Sequence, residues 1–184
     1  MVSIQNSNNM KSLLKTLILI GFFFQLVSCE ENKDFVTEGY RPVYMNHEEV
    51  YNIHSQRPIN IINTGKIYLY NNYVFINERG RGVHVINNSN PESPQNIKFI
   101  NIPGNYDISI RNNILFADNV EDLVSIDIAN LDSVIVKSRI KNVYNEVKQM
   151  YPDFASGYFE CVDPSRGFVI GWTKANLVNP KCRR

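Results

Sequence analysis

The fold is decided by two similar stretches, IYLYNNYVFINERGRGVHVINNSN at residues 67–90 and ISIRNNILFADNVEDLVSIDIAN at residues 108–130. A shift of 40 positions places Glu78 on Asp118 and Asn90 on Asn130, and no gap is needed between them. A period near 40 is typical of stacked β units in which each copy buries the next. The sequence therefore predicts an all-β repeat core.

Each copy contains four short apolar runs separated by turn residues. The runs predict strands at 67–70, 73–77, 82–87 and 97–102, then at 107–110, 114–117, 122–128 and 134–138. Asparagines at the first turn of each copy tolerate positive φ, which suits a tight hairpin. Four strands in about 40 residues is the size of a propeller blade. We expect propeller-like repeats of four-stranded antiparallel units at residues 65–104 and 105–141, in a partial or open stack, because a closed propeller needs about four to eight blades.

A family resemblance appears in the third strand of each copy. The run LVSID at residues 123–127, and VHVIN at residues 83–87, resemble the pentapeptide that names the LVIVD-repeat proteins. Those are exported or surface proteins of bacteria with propeller-like β repeats. Ser89, Asn90 and Pro91 fit the turn that follows in that family, whereas residues 129–131 have lost most of it. The resemblance covers about residues 65–139, implies the fold, and carries no set of catalytic residues.

The first 28 residues predict an export signal peptide. Lys11 and Lys15 precede an apolar run at 16–27, which has the length of a signal core and is too short for a bilayer span of about 20 residues. The run ends in LVSC at 26–29 and resembles the lipobox of bacterial lipoproteins, in which the cysteine becomes the lipidated first residue. Cys29 is therefore the predicted lipidation site. The alternatives are an ordinary secretory signal with a chance cysteine and, less favoured, an uncleaved membrane anchor.

Residues 29–39 are predicted to be a tether. Its charged run EENKD at 30–34 resembles the surface-export signals of Bacteroidetes lipoproteins, and a linker facing the periplasm is the other interpretation. The β-repeat domain is expected to occupy residues 40–184.

Shorter elements are expected on both sides of the repeats. Asn46 and Glu49 have the spacing of a capping box, so a short helix is predicted at 47–53. The apolar spacing at 142–151 predicts a second helix. Residues 158–172 predict a hairpin, and this helix and hairpin together are assigned to residues 142–173. The final residues, 174–184, are predicted to be a tail without a strand.

Charge and motifs exclude some functions. The chain has 19 basic and 18 acidic residues; without Lys11 and Lys15 of the leader, 17 basic residues remain and the net charge is −1. Such a balance lacks the basic footprint of nucleic-acid binding. We recognise no nucleophile elbow, phosphate-binding loop or zinc motif, and we predict no enzyme activity, catalytic residue, metal or cofactor.

The remaining candidates each have two interpretations. Cys161 and Cys182 are either a disulfide or two free thiols. His84 lies inside a strand, where a strand residue is favoured over a catalytic base. Asp118, Glu121 and Asp122 are either solvated turn residues or calcium ligands, and the turn is favoured. Aromatic residues could line a glycan-binding face, although strand aromatics more often pack: Tyr68, Tyr70, Tyr73, Tyr106, Tyr158 and Trp172.

Together these observations predict an exported, lipid-anchored protein of the bacterial outer membrane or cell surface that acts as a binding or scaffolding module. The membrane is contacted through the lipid on Cys29, and the other partner is a protein or a glycan. The expected recognition turns contain Glu78, Arg79, Arg81, Asp118 and Glu121. The alternatives are a truncated piece of a longer β-propeller and a component of a glycan-handling enzyme.

Overall fold

The structure, a computed structural model, describes residues 33–144, 151–152 and 156–184. Strands make up 53% of it and helices 6%, in three largely antiparallel sheets, which confirms the all-β prediction. Phe35–Arg184 form one compact unit. The predicted signal peptide and Cys29 lie outside the described residues.

The first repeat sheet has the strand order β2-β6-β5-β4-β3. Its strands are β2 His54–Gln56, β3 Thr64–Tyr70, β4 Tyr73–Glu78, β5 Gly82–Asn87 and β6 Gln95–Asn101. Asn71 has φ of 52° in the β3–β4 turn, as the asparagine pair predicts. The fifth strand, β2, was not predicted, because its His-Ser-Gln sequence has no apolar alternation.

The second repeat sheet has four strands in the order β10-β9-β8-β7. They are β7 Ile108–Arg111, β8 Ile114–Asn119, β9 Asp122–Asp127 and β10 Ile135–Ile140. Asn112 and Asn113 both have positive φ in the first turn. The predicted four-stranded unit is therefore confirmed for this copy.

The two repeat sheets bury one face each in a shared core. Phe75 and Val83 come from the first sheet, and Leu115 and Val124 from the second. The strands β3 and β7 lie side by side, and the Tyr68 hydroxyl donates to the Ile110 carbonyl at 2.9 Å. The expectation that the two copies shield each other's apolar faces is confirmed.

The strand pairing corrects the repeat register. Tyr70 pairs with Tyr73 and Arg111 with Ile114, so β3 and β4 recur after 41 positions. The later strands, β5 and β6, recur after 40, because the β4–β5 turn spans residues 79–81 whereas the β8–β9 turn spans only 120–121. Glu78 is therefore not equivalent to Asp118, and the ungapped alignment is wrong by one residue in the first half of each copy.

The corrected register shows that the sheets stack in the same sense. Phe75 and Val83 lie in the shared core, but their equivalents Phe116 and Leu123 lie on the opposite face of the second sheet. Phe116 is 38% exposed. The second sheet is therefore related to the first by a rotation, and the two sheets pack together through non-equivalent faces.

A third, terminal sheet has the strand order β12-β1-β11-β13. Its strands are β1 Val36–Met45, β11 Tyr158–Phe159, β12 Phe168–Val178 and β13 Cys182–Arg183. The register runs antiparallel from Val36 opposite Val178 to Met45 opposite Phe168. The sheet therefore joins the two ends of the described chain.

Three predictions about the chain ends are corrected by this sheet. The tether does not extend to residue 39, because β1 begins at Val36. Residues 158–172 are not a hairpin, since β1 lies between β11 and β12. The tail is not strandless, because β12 continues to Val178 and β13 follows. For β1 and β12 the partner that supplies the backbone hydrogen bonds lies more than 100 residues away, whereas β13 pairs with β11, which is 23 to 25 positions away.

Helix α1, His47–Tyr51, confirms the capping-box prediction. The Asn46 side chain accepts from the Glu49 backbone N–H at 2.9 Å, and the Glu49 carboxylate accepts from the Asn46 N–H at 3.2 Å. The helix predicted at 142–151 is not present at residues 142–144, and residues 145–150 lie outside the described part.

Candidate functional site

The turns predicted for recognition bury their carboxylates. Glu78 is 1% exposed and Asp118 is 8% exposed, although both were expected to project into solvent. Arg79 and Arg81 are exposed and Glu121 is partly buried. Glu78 and Asp118 are buried because each carboxylate accepts backbone N–H groups from the segment that leads into its own sheet.

Glu78 is held by both of its oxygens. Its Oε1 accepts from the Asn63 N–H at 2.6 Å, and its Oε2 accepts from the Ile62 N–H at 3.0 Å. His84 Nε2 donates to the same Oε2 at 3.0 Å. Burial alone raises the pKa of Glu78, but these three hydrogen bonds and the electrostatic attraction of His84 outweigh it, so the pKa of Glu78 is lowered.

His84 lies in strand β5, as predicted, and the structure shows in addition that it is buried. It is fully buried, its ring lies 4.9 Å from that of Phe99, and its Nδ1 has no hydrogen-bond partner in the described residues. Segment 57–63 lies over this face of the first repeat sheet, where the Ile59 carbonyl accepts from Asn96 Nδ2 at 3.0 Å. The Glu78–His84 pair therefore positions this segment, and solvent does not reach the imidazole.

Asp118 uses a single oxygen for all its side-chain hydrogen bonds. Oδ1 accepts from the N–H groups of Tyr106 and Asp107, both at 2.8 Å, and from Asn105 Nδ2 at 2.7 Å. Burial raises the pKa of Asp118, and these hydrogen bonds, which lower it, do not fully compensate. The two buried carboxylates therefore have pKa shifts of opposite sign.

Asn105 joins the polar groups of the two repeat sheets. Asn77 Nδ2 donates to Asn105 Oδ1 at 2.6 Å, and Asn105 Nδ2 donates onward to Asp118. Asn105 and Asn77 are both fully buried. Sequence reasoning missed this bridge, because Asn105 follows Pro103-Gly104 and reads as an ordinary loop residue.

In the predicted acidic cluster, Asp118 accepts backbone N–H groups, whereas Asp122 forms an ion pair. Asp122 pairs with Arg139 at 2.8 Å, while Asn119 Oδ1 accepts from the same guanidinium at 2.7 Å. The guanidinium also lies 4.2 Å from the ring of Tyr51, which attaches helix α1 to the second sheet. Within the described residues, no group of three His, Cys, Asp or Glu is placed to hold a metal ion.

The tyrosines of the repeats lie against the core. Tyr68, Tyr70 and Tyr73 are partly buried beside the shared core. Trp172 lies in the terminal sheet, 5.6 Å from the ring of Phe159, and Tyr158 lies in the same sheet. The structure therefore places Tyr68, Tyr70 and Tyr73 beside the shared core and Tyr158 and Trp172 in the terminal sheet, and of these five Tyr158 lines an open groove.

That groove, the terminal groove, has a volume of about 550 Å³. It is lined by Glu38, Gly39, Tyr40, Ser156, Gly157, Tyr158, Lys174, Ala175 and Asn176. Strand pairing places Tyr40 opposite Lys174 and Glu38 opposite Asn176. Within the described part of the chain neither Glu38 nor Lys174 forms an ion pair. Sequence reasoning missed the groove because its walls come from both ends of the domain; Tyr158 was the only signal.

Cys161 and Cys182 form a disulfide, with a Cα–Cα distance of 5.3 Å. Of the two interpretations left open by the sequence, pairing is the one found. The bond links the segment after β11 to β13, next to the terminal groove. A disulfide is typical of proteins that mature in an oxidising compartment.

No helix in the described ranges is long and apolar enough to span a membrane. Comparison of the chain with models of protein families gave no match. Searches of curated proteins and of solved structures likewise gave no significant match.

Proposed function

We propose that this protein is an exported, lipid-anchored module of the bacterial envelope that binds an oligosaccharide in the terminal groove. The observation that carries the proposal is the groove itself. On one face of the β1–β12 pair it combines Tyr40 and the amide of Asn176 with Glu38 and Lys174, neither of which forms an ion pair within the described residues. Sugars are bound by aromatic stacking together with hydrogen bonds from such polar groups, and a volume of about 550 Å³ is within the range of small-molecule sites.

Two observations support export and anchoring. The Cys161–Cys182 disulfide suits an oxidising compartment. The lipobox-like sequence at 26–29 directly follows an apolar run of signal-peptide length. The lipid on Cys29 would hold the domain at the outer membrane or cell surface, where glycans are abundant.

The repeat sheets are proposed to be two blades of an open, propeller-like stack. The support is the same-sense stacking described above, together with the contact between the first strands of the two units, β3 and β7. Closed propellers place their blades in this way. In this arrangement the repeats form the rigid support that positions the terminal sheet, and the LVIVD-like runs are the third strand of each blade.

The groove is tested with purified protein, a panel of bacterial envelope oligosaccharides and titration calorimetry. The double variant Glu38→Ala/Lys174→Ala is expected to bind the selected sugar at least about tenfold more weakly, because both charged groups leave the wall of the groove. The matched control is Glu92→Ala, an exposed glutamate outside the groove. Equal affinity for wild type and double variant, or the absence of any sugar ligand, would refute the proposal.

A further inference from the structure

The terminal sheet ends in an exposed apolar patch. Phe35 is 51% exposed, and Val36 and Val178 are each 58% exposed. Val36 lies directly opposite Val178 in the β1–β12 pair. Phe35 is joined to Asn179 by two hydrogen bonds of 2.8 Å, one from its N–H to the Asn179 side chain and one to its carbonyl. Since successive residues of a strand face opposite sides of a sheet, Val36 and Val178 lie on one face and Phe35 on the other, so the three apolar side chains surround the tip of the β1–β12 pair.

Basic residues flank this patch. Lys181, Arg183 and Arg184 are all exposed. The guanidinium carbon of Arg183 lies 5.3 Å from the centre of the Tyr158 ring, and that ring lies 5.5 Å from the ring of Phe35. The disulfide at Cys182 holds this basic segment against the terminal sheet. In residues 30–34, Glu30, Glu31 and Asp34 outnumber Lys33 by two, so this segment and the three basic residues together carry a net charge of +1.

The chain leading to Phe35 is short. Only residues 30–34 separate Phe35 from Cys29, and a fully extended residue spans about 3.5 Å, so the reach is about 20 Å. If Cys29 is acylated, as the proposed function holds, this end of the domain cannot leave the immediate neighbourhood of the bilayer surface. The length of the chain would then keep the exposed patch within about 20 Å of the point of attachment.

We propose that Phe35, Val36 and Val178, with Lys181, Arg183 and Arg184, form a docking surface for a membrane containing anionic phospholipid. The apolar side chains would enter the boundary between headgroups and acyl chains, and the basic side chains would contact lipid phosphates. This inference rests on the proposed lipid anchor for its location. Docking would give the tethered domain one preferred orientation on the membrane.

The test uses residues 29–184 with Cys29→Ser, so that no lipid contributes. This chain contains the compact unit Phe35–Arg184. Co-sedimentation is measured with vesicles of phosphatidylcholine and phosphatidylglycerol, and with vesicles of phosphatidylcholine alone. The protein is expected to partition more strongly onto the anionic vesicles. Phe35→Ser/Val178→Ser should weaken partitioning to both kinds of vesicle, by about tenfold on the anionic ones.

A second variant isolates the electrostatic contribution. Lys181→Ser should weaken binding about fivefold on anionic vesicles and leave binding to phosphatidylcholine unchanged. The control is Ile67→Ser/Leu69→Ser, which removes two side chains that are 62% and 72% exposed on the first repeat sheet. The proposal is overturned if the wild type does not bind anionic vesicles, or if the patch variants bind as strongly as this control. Thermal unfolding checks that each variant is folded.

A separate measurement distinguishes this proposal from the lipid anchor. Mass spectrometry of the N-terminal peptide of the wild-type protein from cell membranes reports whether Cys29 is acylated. An unmodified Cys29 would refute the anchor while the vesicle result remains valid. If Cys29 is acylated but the patch variants bind vesicles as strongly as the control, only the docking surface is refuted.

Discussion

The buried carboxylates of Glu78 and Asp118 differ in how many of their oxygens accept hydrogen bonds. Glu78 divides its hydrogen bonds between two oxygens, whereas Asp118 receives all of its side-chain bonds at Oδ1. An amide side chain has only one acceptor oxygen, so it can replace the second arrangement but not the first. The two sites therefore provide a matched pair of substitutions.

Glu78→Gln is expected to destabilise the protein by about 1–3 kcal/mol, because a buried backbone N–H then faces an amide donor instead of an acceptor. Asp118→Asn is expected to change stability by less than about 1 kcal/mol, since the amide oxygen retains all three donors and a buried charge is removed. Urea unfolding followed by circular dichroism measures both. Equal losses for the two variants would contradict this account of the network.

The same two residues predict the pH dependence of stability. The pKa of Glu78 is lowered in the folded state, so its contribution is complete above the ordinary glutamate value of 4.5 and is lost as the pH falls through the lower folded value. The pKa of Asp118 is raised, so its effect is opposite: stability is gained as the pH falls through its folded value towards 3.8.

Unfolding free energies measured from pH 7 to pH 3 should therefore separate the variants. Glu78→Gln should lose less stability on acidification than wild type, and Asp118→Asn should lose more. A Glu78→Gln profile parallel to that of wild type would show that this carboxylate does not contribute to the acid sensitivity.

At the level of elements, the terminal sheet depends on links between distant parts of the chain. β1 pairs with β12 along its whole length, but β11 contributes only two residues and pairs with β1 at a single position, Tyr40 opposite Phe159. The Cys161–Cys182 disulfide secures this weak side of the sheet, since it joins the segment after β11 to β13.

Cys161→Ser/Cys182→Ser should lower the free energy of unfolding by about 3 kcal/mol, the value expected for a closed loop of about 20 residues. Hydrogen exchange is expected to accelerate first at β11 and β13, while the repeat sheets keep their protection. Faster exchange in β4 and β8 instead would show that the disulfide stabilises the repeats rather than the edge of the terminal sheet.

For the whole molecule, the shared core between the repeat sheets decides stability. Leu115 is fully buried in that core, whereas Leu69 is 72% exposed on the first sheet. Leu115→Ala should cost about 2–5 kcal/mol, and Leu69→Ala should stay within about 0.5 kcal/mol of wild type. Urea unfolding monitored by far-UV circular dichroism and by Trp172 fluorescence should give coincident transitions in both variants, because the compact unit includes the terminal sheet. Similar losses at the two leucines would contradict the stacking.

Much of the architecture is encoded locally. Alternation of apolar residues and the positive φ of Asn71 and Asn112 act over a few positions, so the eight strands of the two copies and the turn between the first two strands of each could be placed from sequence. The capping box at Asn46 and Glu49 is equally local. The candidate site was not predictable in this way, because Glu38 and Lys174 are 136 positions apart and only strand pairing brings both to the terminal groove.

The sequence by itself thus determined the strand order within each repeat, because each strand follows from its own residues and its adjacent turns. Only the tertiary structure decided which turn residues are buried, how the register shifts by one residue, and which strands form the terminal sheet. The reason is that a buried carboxylate or an edge strand is stabilised by N–H and C=O groups from remote segments. Those partners are set by packing of the whole chain and leave no mark on the local pattern.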